Sequence, residues 1–421
     1  MIKIRDETAK LSTSYHKKTL LFFDALKRAF PFLLLFAYGV FTCSYFFLES
    51  YNSHYRLFAR FVFVLGLFVF AKGIRENYKH PLFQIMSLYI TYLLLSGLWD
   101  VPIDWFHLGQ KLTISIYLLS FVTITYFLVH WNRALFERML QLCILIAAAA
   151  ALINLITFYR DNAFPGTRLV GIGTLTNVNE FTNVYGVFGV LAMGFALRAR
   201  LLPCRLLMSL AIAIFISYAW FGQSRTAFVS IVIVLMTQAG MSLEKKRSVY
   251  MAIVTLLVFG AALAVVFPDS IEQAFLRGMG IRPQIWVETW NTAGLAPIFG
   301  HGLTSNISVV VEGALIETTH NAYLQAFWHG GVIGLSLLLL LLVVAFRQAW
   351  LLARQGGDYT VFCMLLFAAC TMMTGVDTLI DRPRDQWMLF WLPLALLLSY
   401  KTLVRRDRRD LESNGVEQTE L

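Results

Sequence analysis

Twelve long apolar segments, separated mostly by short polar ones, run through almost the whole chain. About 20 apolar residues in a helix cross the roughly 30 Å hydrocarbon core of a bilayer. Backbone groups cannot stay unpaired in lipid, and continuous apolar runs favour helices over a barrel. The sequence therefore predicts an all-α integral membrane protein with about 12 transmembrane helices. The predicted helices are centred in 29–48, 57–71, 82–98, 112–130, 139–158, 176–197, 205–221, 225–243, 249–267, 322–346, 360–379 and 386–402.

The composition agrees with one membrane-embedded domain. Hydrophobic residues make up 58% of the chain and charged residues 14%. Soluble domains are about half apolar and a quarter charged, so a soluble globular or disordered protein is excluded. We expect a basic cytoplasmic segment at 1–28, a polytopic membrane domain at 29–402 and a polar cytoplasmic tail at 403–421. The first residues lack the apolar core of a cleavable signal peptide, so none is expected.

The positions of lysine and arginine predict the orientation in the membrane. With a cytoplasmic N-terminus, 25 of the 35 basic residues fall in cytoplasmic segments and 10 on the outer side. Cytoplasmic loops are enriched in Lys and Arg, so the reversed topology would break this rule at every loop. Both termini are therefore predicted to be cytoplasmic. The net charge of +10 follows from this bias, and no nucleic-acid partner is expected.

One outer segment, about 268–320, is much longer than the others. Long loops between packed elements often carry function, so this segment is predicted to be the catalytic loop and to contain short helices. Within it, Arg282 precedes Pro283, which favours a helix that starts there. Trp286 and Trp290 would share one face of that helix, at the level of the lipid headgroups.

Three outer arginines occur in contexts that favour a function. Arg225 opens a fully apolar helix in WFGQSRTAFVS, and an ionisable residue at such depth is a functional candidate. Arg168 lies in the glycine-containing stretch GTRLVGIGTLTNVNEF, and Arg282 lies at a helix N-terminus, where anions are favoured. Guanidinium groups bind phosphate through bidentate hydrogen bonds. The three residues predict a clamp for a lipid diphosphate; snorkelling side chains and a flexible loop are the plainer alternatives.

His320, where the long loop re-enters the membrane, is the candidate base. A histidine can deprotonate an attacking hydroxyl or hold it in place, although a lone histidine is more often structural. Asn321 follows and could orient a sugar, and Glu180 and Asp381 are second candidates for a base. Neither the histidines nor the five cysteines have metal-ligand spacing, so no metal is expected.

The last outer loop, DTLIDRPRDQW, is dense in charge. Its charged residues could neutralise one another as ion pairs, or they could line the cavity that holds the substrate. The second interpretation adds Arg382 to the supporting candidates. The charged residues of the loop are Asp377, Asp381, Arg382, Arg384 and Asp385.

Four segments occur in a fixed order on the predicted outer face: RLVGIGTLTNVNEF, SRTAF, RPQIW…APIFGHG and THNAYLQAFWHGGVIGL. In these segments, which span roughly residues 160–345, the chain resembles the O-antigen ligase and polymerase superfamily of GT-C-like membrane glycosyltransferases. It is most like the O-antigen ligases, and its overall topology is similar to theirs. One departure is Asn177-Val178-Asn179, where family members often have Asn-Pro-Asn.

The resemblance implies an enzyme of the bacterial inner membrane with a periplasmic active site. Such a ligase transfers a glycan from undecaprenyl diphosphate to a sugar hydroxyl of lipid A–core, with inversion and without metal, nucleotide or other cofactor. By resemblance, Arg168, Arg225 and Arg282 bind the diphosphate. His320 activates or positions the acceptor hydroxyl and, together with Arg225, is catalytic.

Three alternative functions stay open. A polymerase uses the same donor with a second lipid-linked glycan as acceptor, and acceptor choice depends on pocket shape. A protein O-glycosylating oligosaccharyltransferase often carries a further soluble domain, which the short polar tail does not supply. A transporter or flippase would show internal repeats and charges near the midplane, and neither is found in the sequence.

Overall fold

The computed structural model describes residues 27–100, 102–164, 166–242 and 280–403. Most of these residues are helical. The predicted apolar run 249–267 lies outside the described residues, as do the start of the long outer loop and most of both terminal segments.

Helices joined mostly by short turns, together with one β-hairpin, make up the described part of the chain. The helices are α1 (Lys27–Phe46), α2 (Tyr51–Asn77), α3 (Pro81–Ser96), α4 (Trp105–Asp161), α5 (Val178–Arg198), α6 (Leu202–Phe221), α7 (Arg225–Ser242), α8 (Arg282–Ala293), α9 (Ala322–Gly356), α10 (Thr360–Thr371) and α11 (Trp387–Leu403). The strands β1 (Val309–Val311) and β2 (Ala314–Ile316) pair antiparallel.

Every predicted apolar run within the described residues coincides with a helix over most of its length, but α10 covers only Thr360–Thr371 of the run 360–379. Two runs lie in α4, whose 57 residues would extend roughly 85 Å if straight, far more than one bilayer. The helix breaks at Asn132, where φ is −157° and ψ is 92°, so its two halves can cross separately. Within the described ranges, six helices are long and apolar enough to cross a membrane, which makes the chain a multi-pass membrane protein. The count of twelve spans stays a prediction.

Helix α5 is the most buried of these six helices. Its most apolar window is 89% buried, and it packs against α6, α7 and α10. Gly186 allows the contact with α10, because a Cβ there would overlap the ring of Phe367. The helix begins at a cap formed by Asn177, whose Oδ1 accepts from the backbone N of Asn179 at 2.9 Å. This cap fixes the end of α5 that carries Asn179 and Glu180.

The long outer loop is attached to a break in α9. At Gly331 the backbone adopts φ 61° and ψ −157°, which interrupts the helix. Residues 297–302 of the loop and residues 328–333 around the break are joined by four backbone hydrogen bonds, among them Val332 N to Pro297 O at 2.8 Å. We call this pairing the loop–helix joint. It satisfies backbone groups that the break would otherwise leave unpaired.

Helix α8, the hairpin and the start of α9 form a second, smaller core. The helix predicted at Arg282 is present, with a proline in its first turn. Trp286 packs against this core, and its Nε1 donates to Thr319 O at 3.0 Å. The hairpin is an element that the sequence did not predict in this loop; its turn is at Gly313, where φ is 80°. The buried members of the core are Ile285, Ala293, Ile307, Val309, Val311, Phe327 and Trp328.

Candidate active site

One cavity is lined by the four residues that the sequence singled out in separate segments. It has a volume of about 660 Å³, and its lining includes Arg168, Arg225, Arg282 and His320. Glu317 lines it as well. These residues come from the segment before α5, the first turns of α7 and α8, and the end of the long loop. Three guanidinium groups and one imidazole around a common space suit an anionic ligand.

The turn between α6 and α7 holds two of the arginines. Gln223 in this turn has φ 53°, a left-handed conformation that redirects the chain just before Arg225. Arg168 Nε donates to the backbone O of Gly222 in the same turn at 3.1 Å. One turn therefore fixes Arg168 and Arg225 relative to each other.

Arg282, at the first position of α8, is close enough to this cluster to be affected by its charge. Burial and, after it, the positive charge of Arg225 lower the pKa of Arg282, whereas Asp377 raises it. An anion placed between guanidinium groups relieves their mutual repulsion. A further cavity of about 410 Å³ shares Arg225 and Arg282 and is also lined by Val229 and Trp286. The arrangement favours a multiply charged anion with an apolar neighbour.

His320 lies beside a carboxylate that the sequence placed only in a charged loop. Its backbone N donates to Asp377 Oδ1 at 2.8 Å, and its Nδ1 lies 3.3 Å from the same oxygen. Its Nε2 lies 3.2 Å from Thr318 Oγ1. A carboxylate at Nδ1 orients the imidazole and favours the tautomer with the lone pair on Nε2. His320 can therefore act as a base, with Asp377 as its positioning residue.

Asn321, next to His320, caps the N-terminus of α9. Its Oδ1 accepts from the backbone N of Tyr323 at 3.0 Å and of Leu324 at 3.1 Å, which caps α9. This cap fixes where α9 begins and thereby where His320 lies. The expected contact of Asn321 with a sugar stays a prediction.

A second, smaller cavity adjoins the first. It has a volume of about 50 Å³, and Asn179 and His320 line both cavities. Glu180 also lines it and is only 5% exposed. The Glu180 carboxylate forms an ion pair with Arg384 and accepts a hydrogen bond from Tyr51 Oη. Glu180, a second candidate for the base, is thus engaged by a cation and a phenol.

The charges of the last outer loop pair with other parts of the chain. Asp381 Oδ1 lies 3.5 Å from Lys111 Nζ of α4. Arg382 Nη1 donates to Asn52 Oδ1 of α2 at 2.8 Å. These pairs correct the interpretation of the loop as a self-neutralising cluster, because its charges connect it to neighbouring helices. Asp381 lines the second cavity.

Asp385 is a buried carboxyl group that the sequence did not distinguish from its neighbours. Asn183 Nδ2 of α5 donates to Asp385 Oδ2 at 2.6 Å. Burial and, after it, the charge of Glu180 raise the pKa of Asp385 above the usual range of a carboxyl group. The only local signal was its position directly before an apolar helix.

Comparison with known proteins agrees with the resemblance seen in the motifs. Residues 210–339 match the family model of the O-antigen ligases. The chain is also similar to an O-antigen ligase of Pseudomonas aeruginosa PAO1, with 29% identity over 320 residues that cover 75% of this chain and 77% of the relative. The resemblance to O-antigen ligases is thereby confirmed. Arg225, Arg282 and His320 lie within the residues that match the family model.

Proposed function

We propose that this relative of the O-antigen ligases is a membrane glycosyltransferase with its active site on the periplasmic face of the bacterial inner membrane. It transfers a glycan from undecaprenyl diphosphate to a sugar hydroxyl of lipid A–core, with inversion and without a metal. One observation carries the proposal: Arg168, Arg225, Arg282 and His320 line a common cavity. Donor and acceptor are both anchored in the membrane, which suits a multi-pass fold.

The arginine-lined part of the cavity suits the diphosphate of the donor. The diphosphate is the leaving group, and its negative charge grows as its bond to the anomeric carbon breaks. Preorganised donors aimed at such a charge lower the barrier, on the scale of ~3 kcal/mol for each donor removed in other sites. The arginines also bind the ground state, so only part of their contribution appears in the rate.

His320 acts as the base for the acceptor hydroxyl in this proposal. As the acceptor oxygen bonds to the anomeric carbon, its proton passes to Nε2 of His320 and the bond to the diphosphate oxygen breaks. Asp377 stabilises the imidazolium that forms. In this proposal His320 takes up the proton of the acceptor hydroxyl, and the three arginines balance the charge of the leaving diphosphate.

The experiment that tests this function is transfer by the purified chain in nanodiscs. The protein receives undecaprenyl-diphosphate glycan with lipid A–core or with no second acceptor, and the products are separated on a gel. A ladder of capped lipid A–core is the expected result. Longer lipid-linked chains without attachment to core would identify a polymerase instead. No product from folded protein and verified donor would favour a transporter.

A further inference from the structure

The second cavity differs from the first in charge. The two cavities meet at Asn179 and His320, which line both. Three arginines line the first, whereas carboxylates outnumber guanidinium groups around the second. A phosphate group is therefore disfavoured in the second cavity, and neutral hydroxyl or ammonium groups are favoured. Its charged lining residues, besides His320, are Glu180, Asp377, Asp381, Arg384 and Asp385.

One carboxylate oxygen at this cavity has no partner of its own. Asp385 is 5% exposed, and its Oδ2 accepts from Asn183. Within the described ranges, no hydrogen bond or ion pair reaches its Oδ1, and the residue lines the cavity. This oxygen is not fully enclosed by protein and is open to the cavity that Asp385 lines. A ligand that brings an O–H or N–H group into the cavity can therefore form a hydrogen bond with it.

The size of the cavity limits what enters it. A volume of about 50 Å³ holds a few water-sized groups, at ~10–15 Å³ for each. The cavity therefore admits the hydroxyl-bearing edge of a sugar and leaves the rest of the sugar outside. That edge would lie next to His320, which lines the cavity.

We propose that the second cavity is the acceptor subsite and takes the edge of a neutral or ammonium-substituted sugar; this rests on the transferase function proposed above. In its ionised form, Asp385 accepts at Oδ1 a hydrogen bond from the hydroxyl or ammonium group next to the attacking hydroxyl, which faces His320. Inverting displacement requires the attacking oxygen to approach opposite the leaving diphosphate. A subsite that meets the arginine-lined cavity at Asn179 and His320 suits this approach. Asp385 is then a specificity-determining residue.

Asp385→Asn tests the subsite by steady-state transfer in nanodiscs. Asparagine keeps the size of the side chain and can pair with Asn183 through its oxygen, which turns its N–H donors toward the cavity. We expect the KM for lipid A–core to rise about tenfold or more, while the KM for undecaprenyl-diphosphate glycan stays within about twofold. Asp161→Asn, at an exposed aspartate paired with Arg160, is the matched control. An unchanged acceptor KM, or a rise in the donor KM alone, would overturn the subsite.

A second measurement uses the wild-type chain and does not depend on the folding of a variant. Lipid A–core with a neutral terminal sugar is compared with the same acceptor phosphorylated on that sugar. We expect the phosphate to raise the acceptor KM about tenfold or more. Equal use of the two acceptors would overturn the subsite and leave the transferase function standing. No transfer to either acceptor would overturn the transferase function and the subsite with it.

Discussion

At the level of single residues, the candidate site depends on how the backbone holds its charges. His320 adopts φ 50°, a conformation that costs about 1–3 kcal/mol for a residue other than glycine. Contacts on both sides offset this cost, because its N donates to Asp377 and the following Asn321 caps α9. The imidazole is therefore positioned before substrate binds, and its charged neighbours can be tested by substitutions that keep their size.

Arg282→Lys tests whether the diphosphate needs a guanidinium group or only a positive charge. Lysine keeps the charge but cannot form two parallel hydrogen bonds. We expect kcat/KM for the donor to fall about tenfold or more in the nanodisc assay. Arg160→Lys, in the exposed pair with Asp161, is the matched control and should leave transfer unchanged. Full activity of Arg282→Lys would argue against bidentate recognition.

Asp377→Asn tests the positioning of His320. The amide cannot stabilise an imidazolium, so kcat should fall about 100-fold or more with little change in the KM for the donor. His320→Ala and Arg225→Ala should abolish transfer while the protein stays inserted. An Asp377→Asn variant with near wild-type kcat would mean that this carboxylate does not position His320.

The sequence could single out the arginines and the histidine of the candidate site, but it could not predict which side chains contact them. The three arginines and His320 were recognisable because charged groups beside apolar or glycine-containing segments are unusual. Asp377 is 57 residues from His320 and lies in a loop with four other charged residues. Only the folded chain distinguishes it from Asp381, which pairs with Lys111.

At the level of elements, the loop–helix joint fixes residues 297–302 of the long outer loop against α9. Its four backbone hydrogen bonds form only because α9 is interrupted at Gly331. Gly300, with φ 74°, lies opposite, and a Cβ there would overlap the backbone around Gly331. Residues 297–302 of the joint lie between Arg282 and His320 in sequence, so the joint contributes to the spacing between these two residues.

Gly331→Ala tests the loop–helix joint. A Cβ at this position would overlap the backbone of Ile298 and would also require a left-handed conformation. We expect a loss of roughly 1–3 kcal/mol, seen as a lower Tm by intrinsic fluorescence in detergent. Gly356→Ala, at the end of α9 where a Cβ meets nothing, is the matched control. Equal Tm values for the two variants would contradict the role of the joint.

The elements themselves were largely predictable, because apolar runs of spanning length leave few alternatives to helices. The hairpin was not predicted, since strands of three residues carry little pattern. The joint was not predicted either. The sequence FGHG and the sequence HGG each suggest a local turn, but neither reveals that the two pair with each other.

At the level of the whole molecule, the predicted orientation in the membrane can be tested by labelling one cysteine. Cys204, near the start of α6, is exposed, whereas Cys43, Cys143, Cys363 and Cys370 are buried or half-buried. Its neighbours are basic, so this end of α6 is predicted to be cytoplasmic. A membrane-impermeant maleimide should label it in inside-out vesicles and not in intact spheroplasts. Cys204→Ser should remove the label, and labelling from outside would invert the topology.

The charge arrangement also predicts that transfer needs no metal. Arg168, Arg225 and Arg282 place fixed positive charge around the cavity proposed for the diphosphate. EDTA should therefore leave the transfer rate unchanged in the nanodisc assay. A loss of activity with EDTA that Mg²⁺ restores would contradict this mechanism.

The loop–helix joint also bears on how the lipid-linked substrates of the proposed transferase would reach the arginine-lined cavity. The joint ties residues 297–302 to α9, so this part of the long outer loop cannot move away from α9 unless four backbone hydrogen bonds break. For the lipid-linked substrates of the proposed transferase, we therefore expect lateral entry from the bilayer, past the neighbouring cavity lined by Val229 and Trp286. The rate of turnover would then depend on lateral diffusion of the substrates in the bilayer. It should decrease when the surrounding membrane is made less fluid.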